Sequence, residues 1–301
     1  MSSKATKKII TFLALTLAFS SIYYFLIISG GSVGGAGGLY VLGLMWAPGI
    51  AGMVTQLVYE HTLRGLGWKL GKAKYLLVAF LLPLGYCLLV YGITWLSGLG
   101  GFPDPGLMAM IQERWGGLTR SPALQILLTV VLTAFFGMIG GLISGLGEEI
   151  GWRGLFVPEL YKVTTFTKTS LISGAVWGLW HFPLLFFADY NLPGAPRWYA
   201  GLMFAILVIG VSFAFAWLRL KSGSLWTAAV LHAAHNVFIQ TIFTPLTIQN
   251  QITPYIIDEF GAGLALAAVV VALIFWSKRG ELPPGKEEDA GAGVTEVFGA
   301  G

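Results

Sequence analysis

Charge is scarce in this sequence. Asp, Glu, Lys and Arg make up 11% of its 301 residues, whereas 56% of the residues are apolar. This composition excludes an ordinary soluble domain and predicts a polytopic membrane protein, for which we expect no nucleic-acid partner. Cysteine is nearly absent as well: Cys87 stands alone, so an intrachain disulfide is excluded. No repeat and no pair of matching halves is apparent, which argues against a transporter built from internal repeats.

Apolar runs fill most of the chain instead, each close to the ~20 residues that a bilayer-spanning helix needs. We predict an all-α fold, a bundle of eight transmembrane helices with a polar intramembrane cavity. The polar segment 97–123 is expected outside, with a short helix on the surface. Pro158 is expected to stop the fourth helical stretch. The fourth predicted helix starts at residue 124, where the apolar run 124–146 begins, and ends on the Glu148-Glu149 stretch. The other predicted helices cover residues 9–28, 39–59, 75–96, 170–187, 198–220, 224–243 and 261–276.

Lysines and arginines set the predicted orientation. With both termini in the cytoplasm, all 18 of them except Arg114, Arg120 and Arg197 fall on the inner side, as the positive-inside rule requires. We therefore predict an integral protein of the cell (cytoplasmic) membrane, with membrane lipid as a partner. Residues 1–279 are expected to form a single membrane domain. Residues 280–301, rich in Gly, Ala, Pro and acidic residues, are expected to form a disordered cytoplasmic tail.

Two adjacent carboxylates follow the fourth apolar run. Glu148 and Glu149 precede Arg153, and an ionisable group at such depth costs roughly 2.5–3.5 kcal/mol, so it usually faces a bundle interior and serves a function. A structural explanation is an ion pair between Glu149 and Arg153, four residues apart on one helical face, but that leaves Glu148 unexplained. If the helix starts at Leu124, Glu148 lies roughly 36 Å along it, near the cytoplasmic surface. The helix must then tilt, start deeper or pack closely through its glycines.

Further polar residues occur at one level in the fifth and seventh helices. At a rise of ~1.5 Å per residue, His181 lies roughly 16 Å from the cytoplasmic end of its helix and His232 roughly 12 Å. Asn236 shares a face with His232, and His235 lies beside them with no assignable role. A lone intramembrane histidine is more often an interhelical hydrogen-bonding residue than a catalyst. Three histidines with two glutamates and an asparagine instead indicate one site, in a cavity expected to open toward the cytoplasm.

Three motifs in a fixed order on three membrane helices carry a family resemblance. They are Glu148-Glu149-x-x-x-Arg153, Trp177-x-x-x-His181 and His232-x-x-x-Asn236. The chain resembles the CPBP family of intramembrane proteases, which includes the type II CAAX prenyl proteases and the bacterial Abi and bacteriocin-processing proteins. The resemblance covers about residues 120–245, the protease-like core. The family usually has Phe where this chain has Trp177, and we expect that difference to alter packing more than chemistry.

The resemblance implies an intramembrane endopeptidase that hydrolyses a peptide bond with an activated water. Glu148 and His181 would hold and activate the water, and His232 and Asn236 would stabilise the oxyanion. The substrate would be a membrane-associated peptide or protein, such as a prenylated CAAX protein or a leader peptide, and no cofactor is favoured. Glu149 and Arg153 would position the Glu148 carboxylate. Trp177 is the third supporting residue.

Three alternatives stay open. A zinc-dependent protease could use Glu148, His181 and His232 as its ligands, although the spacing differs from the His-Glu-x-x-His motif. A proton-coupled transporter could use the same residues as a relay. A non-catalytic membrane scaffold could carry the polar cluster without using it.

Overall fold

The computed structural model describes residues 3–285, and these form α-helices joined by short connections. This described part of the chain includes two stretches of π-helix: Ile150–Phe156 joins α5 to α6, and Val237–Phe243 extends α9. Residues 3–285 contain no β-strand, so the predicted all-α polytopic fold is confirmed. The helices are α1 (Lys4–Gly30), α2 (Leu39–Glu60), α3 (Ala73–Leu96), α4 (Pro105–Trp115), α5 (Pro122–Glu149), α6 (Val157–Tyr161), α7 (Phe166–Phe187), α8 (Arg197–Ser222), α9 (Trp226–Asn236) and α10 (Ala262–Ser277).

Six helical stretches of the described chain are long and apolar enough to cross a membrane: α1, α2, α3, the continuous stretch Pro122–Tyr161, α7 and α8. The last two predicted crossings correspond to α9 with its π-helical extension and to α10, which has 16 residues. Both are shorter than the other six, and the count of eight crossings stays a prediction. The short helix expected in the outer segment is α4.

The fourth predicted helix is longer than expected. Pro158 does not stop it, because the helical stretch continues to Tyr161. Pro158 occupies the first turn of α6, a position at which its missing N–H and fixed φ are tolerated. Helix therefore continues for roughly 20 Å beyond Glu148. Glu148 lies inside the bundle, with 1% of the residue exposed, and not at the surface.

Glycines let α5 approach its neighbours closely near Glu148. A side-chain carbon on Gly49 of α2 would lie 2.2 Å from the carbonyl oxygen of Gly147, and one on Gly151 would lie 2.3 Å from the carbonyl oxygen of Pro48. Small residues of this kind allow backbone contact between membrane helices. Helices α2 and α9 are thus packed on two sides of the paired carboxylates. The glycines that contact α9 and its extension are Gly137, Gly141 and Gly145.

The end of the bundle that carries the N-terminus is closed by polar contacts. Lys8 of α1 forms a buried ion pair with Glu159 of α6. Beyond α10, Leu282 is buried, and the Tyr161 hydroxyl donates a 2.8 Å hydrogen bond to the carbonyl oxygen of Pro283. The first residues of the predicted tail therefore pack on the bundle, whereas residues 286–301 lie outside the described residues.

Candidate active site

A cavity of about 400 Å³ lies inside the bundle and contains all four predicted catalytic residues. Most of its lining surface is apolar, and the apolar side chains come chiefly from α2, α7 and α8. The polar groups are therefore gathered in an otherwise apolar chamber, which is the usual form of a small-molecule or peptide site. The four residues are Glu148 of α5, His181 of α7, and His232 and Asn236 of α9.

The cavity lies toward the far end of the bundle from the N-terminus. Val33 and Gly34, Tyr190, and Glu259 line it from the connections α1–α2, α7–α8 and α9–α10, respectively. The expected opening toward the end that carries the termini is therefore wrong. The reason is the length of the fourth helical stretch, because α5 continues past Glu148 into α6 and closes that end.

Glu148 and His181 are joined through one residue, Trp177. The Trp177 indole Nε1 donates a 2.7 Å hydrogen bond to Oε2 of Glu148. One turn along α7, Nδ1 of His181 lies 2.8 Å from the Trp177 carbonyl oxygen. A carbonyl can only accept, so Nδ1 must carry a proton. In the neutral imidazole, Nε2 then keeps the lone pair and can accept a proton or a hydrogen bond.

Glu149 binds His232 and Arg153 with a single oxygen. Its Oε1 lies 2.8 Å from Arg153 Nη1 and 2.9 Å from His232 Nδ1. The ion pair that the four-residue spacing suggested is therefore present, and it also orients the imidazole of His232. The Arg153 guanidinium lies over the rings of Trp177 and Phe215, 4.1 and 4.0 Å from their centroids. Arg153 thus contacts the residue that binds Glu148.

Four hydrogen-bonding residues of the cavity lining were not predicted as site residues: Tyr190, Gln240 and Glu259, together with His235, to which no role was given. Glu259 accepts hydrogen bonds from the other three. A second pair of adjacent carboxylates, Asp258 and Glu259, in an apolar part of the chain was the signal that could have found them. Both carboxylates are buried.

The glycine-rich connection between α1 and α2 contributes to the cavity lining and is bound by Asp189. The Asp189 carboxylate accepts hydrogen bonds of 2.6 Å from the Val33 backbone N–H and 2.9 Å from the Ser32 hydroxyl. The Val33 N–H holds the pKa of Asp189 below its usual range. Asp189 thus ties the α1–α2 connection to the α7–α8 connection on the cavity side of the bundle.

Zinc binding by Glu148, His181 and His232 is the alternative that the sequence leaves open. Among the residues that the structure describes, no group of three or more His, Cys, Asp and Glu side chains is placed to hold a metal ion. Nδ1 of each histidine is bonded, in His181 to a carbonyl and in His232 to Glu149, which leaves Nε2 of each ring available to a substrate, a water or a metal ion. Metal dependence stays a prediction for metal analysis to test.

The segment that carries these residues is similar to known proteins. Residues 121–238 match the family described as "Type II CAAX prenyl endopeptidase Rce1-like". "CAAX prenyl protease 2" of Methanococcus maripaludis is 29% identical over 154 residues, which are 50% of this chain and 52% of that protein. The chain thus spans about half the length of the curated relative it matches. The matched segment 121–238 includes all seven predicted site residues, and Glu259 lies outside it.

Proposed function

Both matches support a CPBP family intramembrane protease, and on that premise we propose that this chain hydrolyses peptide bonds with a water held between Glu148 and His181. The observation that carries the proposal is the bridge through Trp177. Its side chain binds the carboxylate of Glu148 and its carbonyl binds the imidazole of His181. A carboxylate oxygen and a histidine Nε2 that line the same cavity are two acceptors for the two hydrogens of one water.

The reaction would begin with removal of a proton from that water. As the water oxygen attacks the substrate carbonyl carbon, Glu148 takes the proton, and the carbonyl oxygen becomes an oxyanion. The water's second hydrogen would be bonded to Nε2 of His181, which fixes the direction of attack. When the carbon–nitrogen bond breaks, the proton passes from Glu148 to the leaving amine, and the carboxylate is restored.

The oxyanion would be bound by Asn236 and His232. Both line the cavity one helical turn apart on α9, and the Asn236 side-chain amide supplies N–H donors. His232 directs Nδ1 to Glu149, so only Nε2 is free for the oxyanion. To donate from Nε2 as well, the ring must carry two protons, and the adjacent Glu149 carboxylate compensates that charge. Donors arranged in this way stabilise the charge that develops in the transition state.

The substrate class we propose is a membrane-associated peptide or protein with an apolar group next to the cleaved bond. The cavity supports this choice because its lining is predominantly apolar, with Val41, Leu44 and Leu184 among the contributing side chains. The relative from M. maripaludis is named for prenylated substrates. A prenylated C-terminal peptide is therefore the first probe to use.

Comparative proteomics of membranes tests this function. Cells that produce the wild-type chain are compared with cells that produce Glu148→Gln at the same level. We expect at least one membrane peptide whose cleaved form is present with wild type and absent with Glu148→Gln. Identical peptide profiles in the two membranes, together with no cleavage of a farnesylated peptide by either purified protein, would exclude the proposed activity.

A further inference from the structure

Glu259 is the centre of a polar cluster in the cavity wall. Its Oε1 lies 3.1 Å from Nε2 of His235 and 3.1 Å from Nε2 of Gln240. Its Oε2 accepts a 2.9 Å hydrogen bond from the Tyr190 hydroxyl. On the other side of the His235 ring, Nδ1 is bonded to the Tyr86 hydroxyl of α3. His235 therefore connects α3 to the α9–α10 connection.

The backbone around Glu259 is fixed by its neighbour. Asp258 has φ +67°, a left-handed conformation that is uncommon outside glycine but that aspartate tolerates better than most residues. Its carboxylate accepts a 2.7 Å hydrogen bond from the Glu259 N–H and a 2.9 Å hydrogen bond from the Thr244 hydroxyl. The direction in which the Glu259 side chain leaves the backbone is set by these contacts.

The Tyr190 ring, which Glu259 holds by its hydroxyl, lies against His181. The two rings are stacked, with centroids 5.9 Å apart and planes 25° apart. Phe260, the residue after Glu259, packs edge-on against Tyr190 at 5.3 Å. Phe204 of α8 contacts both His181 and Tyr190, and the Trp180 ring packs edge-on against His181 at 4.7 Å. Two residues of the α9–α10 connection thus contact Tyr190: Glu259 binds its hydroxyl and Phe260 packs on its ring.

His181 needs this support because one hydrogen bond does not fix a ring. The bond from Nδ1 to the Trp177 carbonyl fixes one atom and leaves the plane free to tilt about it. Packing on the ring faces decides where Nε2 points. Tyr190 belongs to the α7–α8 connection, outside both helices, so its own position depends on the hydroxyl bond to Glu259 and on the neighbouring rings.

We propose that Glu259 is a positioning residue for His181 and that it acts through the hydroxyl and ring of Tyr190. The inference rests on the proposed function only for the role it gives to Nε2 of His181. It assigns a purpose to His235 as well, since His235 and Gln240 hold the second oxygen of the same carboxylate.

Deletion of one hydroxyl tests the proposal with the full-length protein in lipid. Tyr190→Phe keeps the ring and removes the bond to Glu259, whose other oxygen keeps His235 and Gln240. Tyr199→Phe is the matched control, because the Tyr199 hydroxyl also binds the α9–α10 connection, at the Tyr255 carbonyl, without contacting His181. With a peptide that ends in a farnesylated Cys-aliphatic-aliphatic-Met, we expect Tyr190→Phe to lower kcat by about 10–100-fold with KM within about twofold of wild type. Tyr199→Phe should match wild type.

Glu259→Gln separates positioning from a general structural role. Glutamine keeps an oxygen that the Tyr190 hydroxyl can reach, so its loss of kcat should be smaller than that of Tyr190→Phe. The double variant Tyr190→Phe/Glu259→Gln should lose no more than Tyr190→Phe alone, because both substitutions act on one contact. Multiplicative losses in the double variant would overturn the proposal.

A substrate-free readout distinguishes this inference from the proposed function. The ¹⁵N signals of the His181 ring, assigned with a His181→Gln sample in lipid bilayers, report its tautomer and its surroundings. We expect these signals to shift in Tyr190→Phe and not in Tyr199→Phe, even if no peptide is cleaved by wild type. Unchanged His181 signals in Tyr190→Phe, or a change confined to KM, would show that Glu259 does not position His181.

Discussion

The indole N–H of Trp177 donates a 2.7 Å hydrogen bond to Oε2 of Glu148. Both residues are buried, and the backbone carbonyl of the same tryptophan accepts from His181. A phenylalanine at this position, which is usual in the family, would fill the space but could not make the bond to the carboxylate. Trp177 therefore adds a polar contact to the site as well as a change in packing.

Trp177→Phe should lower the cleavage rate without abolishing it. The carboxylate would lose one charge-assisted hydrogen bond, which typically contributes about 1.5–3 kcal/mol, and the expected fall in kcat is about tenfold to a hundredfold. The rate is measured with the farnesylated peptide in proteoliposomes. Trp226→Phe is the control, since its indole N–H donates to the Trp68 carbonyl, away from the cavity. Equal rates in wild type and Trp177→Phe would show that this bond does not affect catalysis.

Glu149→Leu should destabilise the fold strongly. It leaves Arg153 buried without its ion-pair partner, and removal of one partner from a buried pair costs about 3–5 kcal/mol. The double variant Glu149→Leu/Arg153→Met should recover part of that stability, because no buried charge remains. Thermal unfolding in one detergent gives the comparison.

The control for that prediction is the ion pair between Lys162 and Glu159, in which the lysine side chain is 60% exposed. Lys162→Ala should change stability by no more than about 1 kcal/mol. A Glu149→Leu protein that unfolds within a degree of wild type would mean that the Glu149–Arg153 pair serves only to orient His232.

Asn236→Ala should leave measurable activity where Glu148→Gln leaves none. Loss of one oxyanion donor typically costs ~10²–10³-fold, whereas loss of the base stops the reaction at its first step. His232→Ala should behave like Asn236→Ala. Single-turnover product formation measures all three, with Asn250→Ala as a control outside the cavity. If folded Asn236→Ala were as inactive as Glu148→Gln, Asn236 would have a role beyond oxyanion binding.

Asp189→Ala should release the α1–α2 connection on the cavity side. The Val33 N–H would lose its acceptor, so its hydrogen exchange in lipid should become faster, while activity changes less than in the site variants. The pKa of Asp189 is held below its usual range, so its hydrogen bonds to the α1–α2 connection are fully formed above about pH 4. These bonds are lost as the pH falls through the lowered pKa.

Asp104→Ala is the matched control for the loss of the Asp189 hydrogen bond. Its carboxylate accepts a 2.9 Å hydrogen bond from the Leu107 N–H at the start of α4. Exchange at Leu107 should accelerate there, and exchange at Val33 should not. Unchanged exchange at Val33 in Asp189→Ala would show that Asp189 does not hold the α1–α2 connection.

Much of the fold could be predicted from the sequence, because the thickness of the bilayer sets the length of each apolar run and basic residues mark the ends of the runs. The all-α polytopic fold was predicted in this way and is confirmed. The family resemblance was predicted from three motifs, and the match over residues 121–238 supports it. The end of the fourth helix was missed, because proline usually marks a boundary and Pro158 instead falls in a first helical turn after a π-helical segment.

The adjacent carboxylates Asp258 and Glu259 are visible in the sequence, but the partners of Glu259 could not be predicted, because they come from separate parts of the chain. Tyr190 and Glu259 are 69 residues apart and lie in connections, where no helical period relates one side chain to another. His235 was noticed only as a residue next to a motif. Its partners became apparent once α3 and the α9–α10 connection were placed beside α9 in space.

The most direct test of the account is cleavage of a farnesylated CAAX-type peptide by purified wild type and Glu148→Gln in proteoliposomes, with the metal content of the same samples measured alongside. We predict that wild type cleaves without stoichiometric zinc and that folded Glu148→Gln shows only background cleavage. Cleavage by Glu148→Gln at the wild-type rate would contradict the account. So would stoichiometric zinc in active wild type that is lost, together with activity, in His181→Ala and His232→Ala.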